Sequence, residues 1–353
     1  MKVVQIIPAL DEGGVERGTV ELSRELVKKG VENIVISAGG RLVEQLIQEG
    51  TEFVQLDVKS KNLLTVPIRT FRLYKILKAI NPDVIQARSR VPAWLAFLAN
   101  KFLKKPFVTT VHGYNSINFY SKIMTYGDRV ICGSQFMIEH IVQHYATPKD
   151  KIVLIPRGID IEAFSVELDN TFIHDFVDQY QLQEKYVICH VARITHWKDQ
   201  ETAIKALAEL LPNMPEARLL LVGSWEDKRE GYFQELKDLA NNLNVADKVI
   251  FTGNQQKIKE VLAVADICIS PSNKPETFGR ANVEGLFMGK PLIATKIGAT
   301  ADYVVEGENG FFFKVGDAKE LAGKIMKAKE WNFNEDFFSK YVESKFSLEQ
   351  MVK

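Results

Sequence analysis

Two glutamates eight positions apart, Glu276 and Glu284, stand in the run Pro275-Glu276-Thr277-Phe278-Gly279-Arg280-Ala281-Asn282-Val283-Glu284. The first lies in a loop bounded by Pro and Gly. The second lies about one and a half turns into a helical stretch that starts near Gly279 and stops at Pro291. The two carboxylates therefore occupy different levels of one site. Glu276 can reach a bound sugar, and Glu284 can accept hydrogen bonds from a ribose diol. The N–H groups near Phe278 and Gly279 can meet a phosphate. Arg193 and Lys198, five residues apart, follow another apolar run. A guanidinium binds bidentately and an ammonium acts as a point charge, so the pair can grip two phosphates. Two exposed cations are the plainer alternative. Gly223 and Gly253 also follow apolar runs, where exposed backbone can read a flat base or a phosphate.

The first half holds a second set. Gly13 and Gly14 separate an apolar run from an amphipathic stretch. Such a pair lets a ligand approach the backbone, and a helix N-terminus there favours anions; a flexible turn uses the same residues. His112, followed by Gly113, is either a cleft-facing imidazole or a hydrogen-bonded core histidine. Arg88 and Arg90 flank Ser89 after the run ending at Gln86 and suit a phosphate or carboxylate, or else form a solvated pair. With Arg17, they are the acceptor-side candidates.

The elements that must position these residues follow from periodicity. Short β-rich runs at 3–7, 33–37, 83–86, 107–111, 129–132 and 151–155 alternate with stretches of 3.6-residue spacing, such as Val15, Thr19, Leu22 and Leu26. The rhythm pauses at Pro156-Arg157-Gly158 and restarts with runs at 186–191, 218–222, 248–251, 266–270, 291–294 and 310–313. Strand–helix alternation of this kind gives an α/β chain with two doubly wound parallel-sheet domains, expected to face a cleft. The expected boundaries are 1–160, 161–335 and a helical tail over 336–353. In open α/β sheets, ligands bind beyond the carboxyl ends of strands, where all these candidates fall.

Composition narrows the class. Lys plus Arg and Asp plus Glu each number 45, so the net charge is zero and a chain built to coat nucleic acid is disfavoured. The balance is uneven: residues 1–165 carry 22 Lys/Arg against 16 Asp/Glu, and the remainder carries 23 against 29. The two halves are thus expected to meet different partners. Cys132, Cys189 and Cys268 are scattered through apolar runs, with no metal or disulfide pattern, which fits a reducing cytosol. The glycine loop is not G-x-G-x-x-G and no acid ends the second strand, which argues against a nicotinamide dehydrogenase. No run is long enough to span a membrane.

Together these residues resemble the retaining glycosyltransferases of the GT-B fold, family 4 type, over nearly the whole chain. Glu276 and Glu284 match that family's acidic motif, Arg193 and Lys198 its diphosphate-binding positions, Gly13-Gly14 its N-terminal glycine loop, and Pro156-Arg157-Gly158-Ile159-Asp160 its linker. The chain departs from the pattern at Ala192 and Asp199, where glycines are usual, and at Gly223-Ser224-Trp225, a less glycine-rich turn. The resemblance implies that Arg193 and Lys198 neutralise a leaving diphosphate and that Glu284 holds the ribose. It implies Glu276 and the backbone of Phe278 and Gly279 at sugar or phosphate, and His112 at the sugar's far hydroxyls. Fixed cations and a helix N-terminus can stabilise the leaving group, so no metal and no cofactor are expected. Partners implied are a nucleotide-sugar donor and a glycan or glycolipid acceptor, with no nucleic acid. Arg88-Ser89-Arg90-Val91-Pro92-Ala93-Trp94 is similar to a segment of bacterial lipopolysaccharide and envelope polysaccharide enzymes.

The basic first half also fits an anionic membrane surface. Arg69, Arg72, Lys75 and Lys78 recur every three residues, and Lys101, Lys104 and Lys105 end another helical stretch. Peripheral attachment at the inner face of the cytoplasmic membrane is therefore expected; a solvated helix face is the alternative. Competing functions are a nucleotide-sugar epimerase and a non-catalytic nucleotide-sugar binder. A sugar phosphorylase would need a pyridoxal-phosphate lysine and a longer chain.

Overall fold

The computed structural model describes residues 1–11, 13–225 and 230–353, with the side chains of residues 230 and 335 excepted. Of the first glycine loop, Glu12 lies outside the described residues. The chain divides into two compact units, Met1–Gly158 with Ser347–Lys353, and Ile159–Phe346. The stretch expected as one tail over 336–353 is not a separate piece. Its helix Glu335–Phe346 belongs to the second unit, and the short helix Leu348–Met351 to the first.

The first unit carries seven parallel strands: β1 (Lys2–Ile6), β2 (Glu32–Ser37), β3 (Glu52–Gln55), β4 (Val84–Ala87), β5 (Phe107–Val111), β6 (Arg129–Cys132) and β7 (Ile152–Leu154), in the order β3-β2-β1-β4-β5-β6-β7. Edge strand β3 was not expected; four residues with polar ends give too little apolar signal to read. One face of this sheet is sealed by Val4, Ile6, Ile34, Ile36 and Ile85 packed against Leu73, Leu77, Leu95 and Ala96 of the helices Val66–Ile80 and Arg90–Leu103. The opposite face is covered more sparsely. There Ile7, Val20 and Val35 pack together, and polar Gln5, Asn33, Gln86 and Thr110 take the places of aliphatics.

The second unit carries β8 (Tyr186–Val191), β9 (Ala217–Val222), β10 (Val249–Gly253), β11 (Ile267–Ser270), β12 (Leu292–Thr295) and β13 (Gly310–Phe313), ordered β10-β9-β8-β11-β12-β13 and all parallel. Its sheet is buried on both faces, as all-parallel sheets require. Each sheet reverses its strand order once, between β1 and β4 and between β8 and β11. Ligands in doubly wound sheets sit beyond the carboxyl ends at such points.

Two side chains correct the sequence reading or sharpen it. Arg69 is not part of a surface stripe. It is buried, with Nε donating to Thr65 Oγ1 (2.9 Å), Nη1 to Ser60 O (2.9 Å) and Nη2 to Asn62 O (3.0 Å), so it ties down the turn before its helix. His190 on β8 is buried with Nδ1 2.9 Å from the Ile269 carbonyl oxygen. Burial pushes its pKa down to about 4, against an opposing pull from that hydrogen bond. The unfolded chain therefore binds a proton below about pH 6.5 that the folded chain refuses. Stability is full above that pH and declines on acidification toward pH 4, by about 2 kcal/mol at pH 5. Urea melts at pH 7 and pH 5 are expected to show a loss about 2 kcal/mol smaller in His190→Gln than in the wild type; equal pH slopes would contradict the assignment.

Candidate active site

In the second unit the chain beyond β8 continues beside its neighbours. Ala192 N–H donates to Val222 O (2.8 Å), Ile194 N–H to Ser224 O (3.0 Å) and Gly223 N–H to Gly253 O (2.9 Å). Arg193 is exposed on this bank, and its carbonyl accepts from Gln200 Nε2 (3.0 Å). Gly223 serves packing: an added Cβ would fall 2.1 Å from the Ala192 carbonyl oxygen. Gly253 (φ +69°) borders open space and is the glycine of the two with room for a ligand.

The turn His196–Lys198 is clamped by the loop after β11. Asn273 Nδ2 donates to His196 O (2.8 Å) and Asn273 N–H to Trp197 O (3.0 Å). This tie brings two of the expected residues into contact: Lys198 Nζ donates to Glu276 Oε2 at 2.5 Å, with both side chains mostly buried. The ammonium also lies 4.1 Å from the Trp197 ring centroid. Lys198 thus holds a carboxylate where the resemblance implies a diphosphate.

Glu276 is fixed from its other side by Gly298. The two form a parallel bridge, and Ala299 N–H donates to Glu276 O at 2.6 Å. Gly279, at φ +77°, is the N-cap of the helix Arg280–Phe287 and has no side-chain cap. Asn282 Nδ2 beneath it donates to Tyr303 Oη (2.9 Å) and Ser270 Oγ (3.1 Å). Phe278 is buried in the core, so its backbone alone can border a ligand. Glu284, one turn into the helix and buried, accepts from Arg280 Nε at 2.7 Å. Asp199, one of the departures from the family pattern, adopts φ +54°, a conformation glycine takes readily. Its carboxylate accepts from Thr202 Oγ1 (2.8 Å) and N–H (3.3 Å), capping the helix Gln200–Leu210. Burial raises its pKa above the usual carboxylate value.

In the first unit, Arg88 lies beyond β4 at the switch point. Arg88, Ser89, Arg90, His112, Gly113 and Glu16 line a polar cavity of about 210 Å³. Arg88 is buried; Nη1 donates to Gln5 Oε1 (3.2 Å), and Gln5 Nε2 donates onward to Ser23 Oγ (2.9 Å) and Asn33 Oδ1 (3.1 Å). Burial and nearby Arg157 push Arg88 down to about 9, while burial, Arg88 and Arg157 hold His112 well below the usual histidine range, as a neutral imidazole. Arg90 Nη1 donates to Ser121 Oγ (3.3 Å) and its guanidinium lies over the Tyr120 ring at 5.2 Å. Arg17 is exposed on the helix Gly14–Lys28 and is not among the residues lining this cavity; Glu16 is.

Arg157 was read only as part of a linker. Its Nη2 donates to the Gly14 carbonyl, and Cβ atoms added at Gly14 and Gly18 would approach its guanidinium to 3.5 and 2.5 Å. Gly18 therefore serves a close approach by Arg157, whereas the contact at Gly14 is of ordinary van der Waals length. The legible signal was glycine at i and i+4 of a helix, which clears a groove on one face. Gly298 and Asn273, which hold Glu276 and the Lys198 turn, carried no signal in isolation. Among the described residues, no helix is long and apolar enough to cross a membrane, and no group of three His, Cys, Asp or Glu could hold a metal ion.

Two Rossmann-like parallel-sheet units, one with cation–carboxylate pairs at its switch point, are the elements of the GT-B fold. Residues 12–163 match the family described as Glycosyltransferase Family 4, and residues 173–342 match Glycosyl transferases group 1. A solved glycosyltransferase from Rickettsia africae is 31% identical, covering 99% of this chain and 95% of its own, with a TM-score of 0.90. The chain belongs to the group 1, family 4 glycosyltransferases. Anabaena Alr3699/HepE, solved in complex with UDP-glucose, shares the fold at a TM-score of 0.86, covering 100% of this chain and 97% of its own at 21% identity. N-acetyl-alpha-D-glucosaminyl L-malate synthase of Bacillus anthracis is 23% identical over 91% of this chain and 85% of its own.

Proposed function

We propose that the protein transfers a hexose-type sugar from a UDP- or GDP-sugar to a glycan or glycolipid acceptor, with retention and without a metal, in bacterial lipopolysaccharide or envelope polysaccharide synthesis. The observation that carries this is the Lys198–Glu276 contact at the carboxyl ends of β8 and β11. In the reaction the bond from C1 of the sugar to the diphosphate breaks and a bond from C1 to the acceptor oxygen forms. The acceptor's proton passes to the departing phosphate oxygen. Charge develops on the diphosphate, where Arg193, Lys198 and the uncapped start of the helix Arg280–Phe287 offset it. Glu284 takes the ribose, Glu276 the sugar hydroxyls, and Gly253 the base or a phosphate. The UDP-glucose bound to the Anabaena protein supports a nucleotide-sugar donor. The Bacillus anthracis relative, named for joining a sugar to L-malate, supports an acidic acceptor at Arg88 and Arg90.

Chromatography of a nucleotide-sugar panel after long incubation tests this. One donor is expected to be consumed slowly, with nucleoside diphosphate released, and Arg193→Ala/Lys198→Ala is expected to stop it. Epimerised sugar, or no consumed donor, would overturn the reading.

The membrane contact belongs to the same proposal. Leu64 and Phe71 are 88% and 56% exposed beside exposed Lys61, Arg72 and Lys75, and Phe102, 78% exposed, packs 5.9 Å from Tyr74. Apolar residues ringed by cations suit the interface of an anionic bilayer. Wild type is expected to co-sediment with phosphatidylglycerol vesicles at low salt. Leu64→Glu/Phe71→Glu is expected to stay in the supernatant. Equal behaviour of the two would exclude this surface.

A further inference from the structure

The polar cavity of the first unit backs onto a second one. Arg88, Thr110 and His112 line both. The second cavity, about 330 Å³, runs along the sparsely covered face of the sheet. Its floor is graded. Residues two apart on a strand share a face, so Val84, Gln86 and Arg88 descend one strand and Val108, Thr110 and His112 the next. The amino ends are aliphatic, the middle pair is satisfied internally by Gln86 Nε2 donating to Thr110 Oγ1 (2.9 Å), and the carboxyl ends are basic or aromatic. Leu22 and Leu26 form one wall, and Met351 and Val352 another. From Val84 to Arg88 the floor extends about 13 Å.

Two buried polar atoms at the basic end are unpartnered. Arg88 is 5% exposed, and its Nε has no hydrogen-bond partner among the described residues; the same holds for the buried Nε2 of His112. A buried guanidinium N–H left unmade costs more than a typical hydrogen bond gains, and an acceptor atom arriving there recovers it. The neighbour Arg157 adds positive charge, with Glu16 as the opposing carboxylate. The aliphatic end is likewise incomplete: Val84, Val108, Ile131, Leu22 and Leu26 are only half-buried, although parallel sheets are normally covered on both faces.

We infer that this trough binds a single amphiphile, its anionic phosphate or carboxylate head at Arg88 and Arg157 and its aliphatic chain along Val84, Val108, Leu22 and Leu26. The inference deepens the acceptor reading and rests on it: an acceptor held this way is an anionic lipid whose sugar-accepting end faces the Arg88–Arg90 cavity while its chain is threaded beneath the helix Gly14–Lys28. The volume lies within the range of small-molecule sites.

Titration calorimetry with inorganic phosphate and with butyl, octyl and dodecyl phosphate, each below its micelle concentration, tests the site directly. Affinity is expected to rise up to about fourfold per methylene, then level off once the trough is full. Arg88→Met is expected to weaken every member at least tenfold. Val108→Phe and Leu26→Phe, obstructing the trough from opposite walls, are expected to remove the chain-length dependence while melting near wild type. Binding that ignores chain length, that never saturates, or that survives both obstructions would overturn the inference. A nucleotide sugar consumed by a protein that binds no alkyl phosphate would sink this site and spare the transferase reading. Chain-dependent binding without any nucleotide-sugar turnover would do the reverse.

Discussion

Lys198→Ala is expected to lower kcat/KM by ~10²–10³, the cost of removing one preorganised charge from a developing anion. It is also expected to destabilise the protein, because Glu276 would keep its buried position without its cation. Leaving a mostly buried charged group unpartnered costs roughly 2 kcal/mol. Glu276→Gln separates the two effects. It preserves shape and releases the ammonium, so the stability loss is expected to be smaller, while transfer still falls through the missing contact to the sugar. A steady-state assay and a urea melt on each variant decide the matter. Full activity in Lys198→Ala would remove the diphosphate role outright; an undiminished melting midpoint would show that the pair contributes nothing to folding.

Gly298→Ala is expected to damage the site from behind. An added Cβ would lie 2.2 Å from the Glu276 carbonyl oxygen and 2.5 Å from its nitrogen, both backbone atoms that cannot swing away, and the residue sits at φ +71°. Strain and overpacking together cost about 2–3 kcal/mol. The response would displace the segment that carries Glu276 and thereby the partner of Lys198. A shift near 1 Å at a reacting centre costs on the order of 10² in rate. The expected signature is a fall in kcat larger than any rise in KM. A variant that loses stability and keeps kcat would show that the bridge to Gly298 does not position Glu276.

The strands were legible because parallel strands buried on two faces read as short apolar runs. Four of the expected runs, 107–111, 129–132, 186–191 and 310–313, match observed strands to the residue. Strand β3 was not, since Glu52-Phe53-Val54-Gln55 has only two apolar residues. The acidic motif was legible because Pro275, Gly279 and Pro291 bracket it. Its pairing was not. Glu276 meets Lys198, 78 positions away, through a clamp made by Asn273, and no local pattern encodes that meeting. The basic stripe was half legible. Spacing placed Arg69 with Arg72, Lys75 and Lys78, but period three drifts round a helix, and Arg69 has turned inward to the Ser60–Asn62 carbonyls. Arg157 was hidden by its surroundings: Pro and Gly beside it read as a linker, whereas its guanidinium returns to Gly14 and Gly18.

The central claim is that the second unit holds a nucleoside-diphosphate sugar between Arg193, Lys198, Glu276 and Glu284. Thermal unfolding of wild type and Glu284→Ala with UDP-, GDP-, ADP-, CMP- and NAD-type ligands tests it most directly. A ligand at 100 times its Kd adds about 2.7 kcal/mol of stability. The account predicts a clear upward shift of the wild-type melt with one class of nucleoside diphosphate, and a much smaller one in Glu284→Ala. No shift with any nucleotide, or a shift with NAD alone, would contradict it.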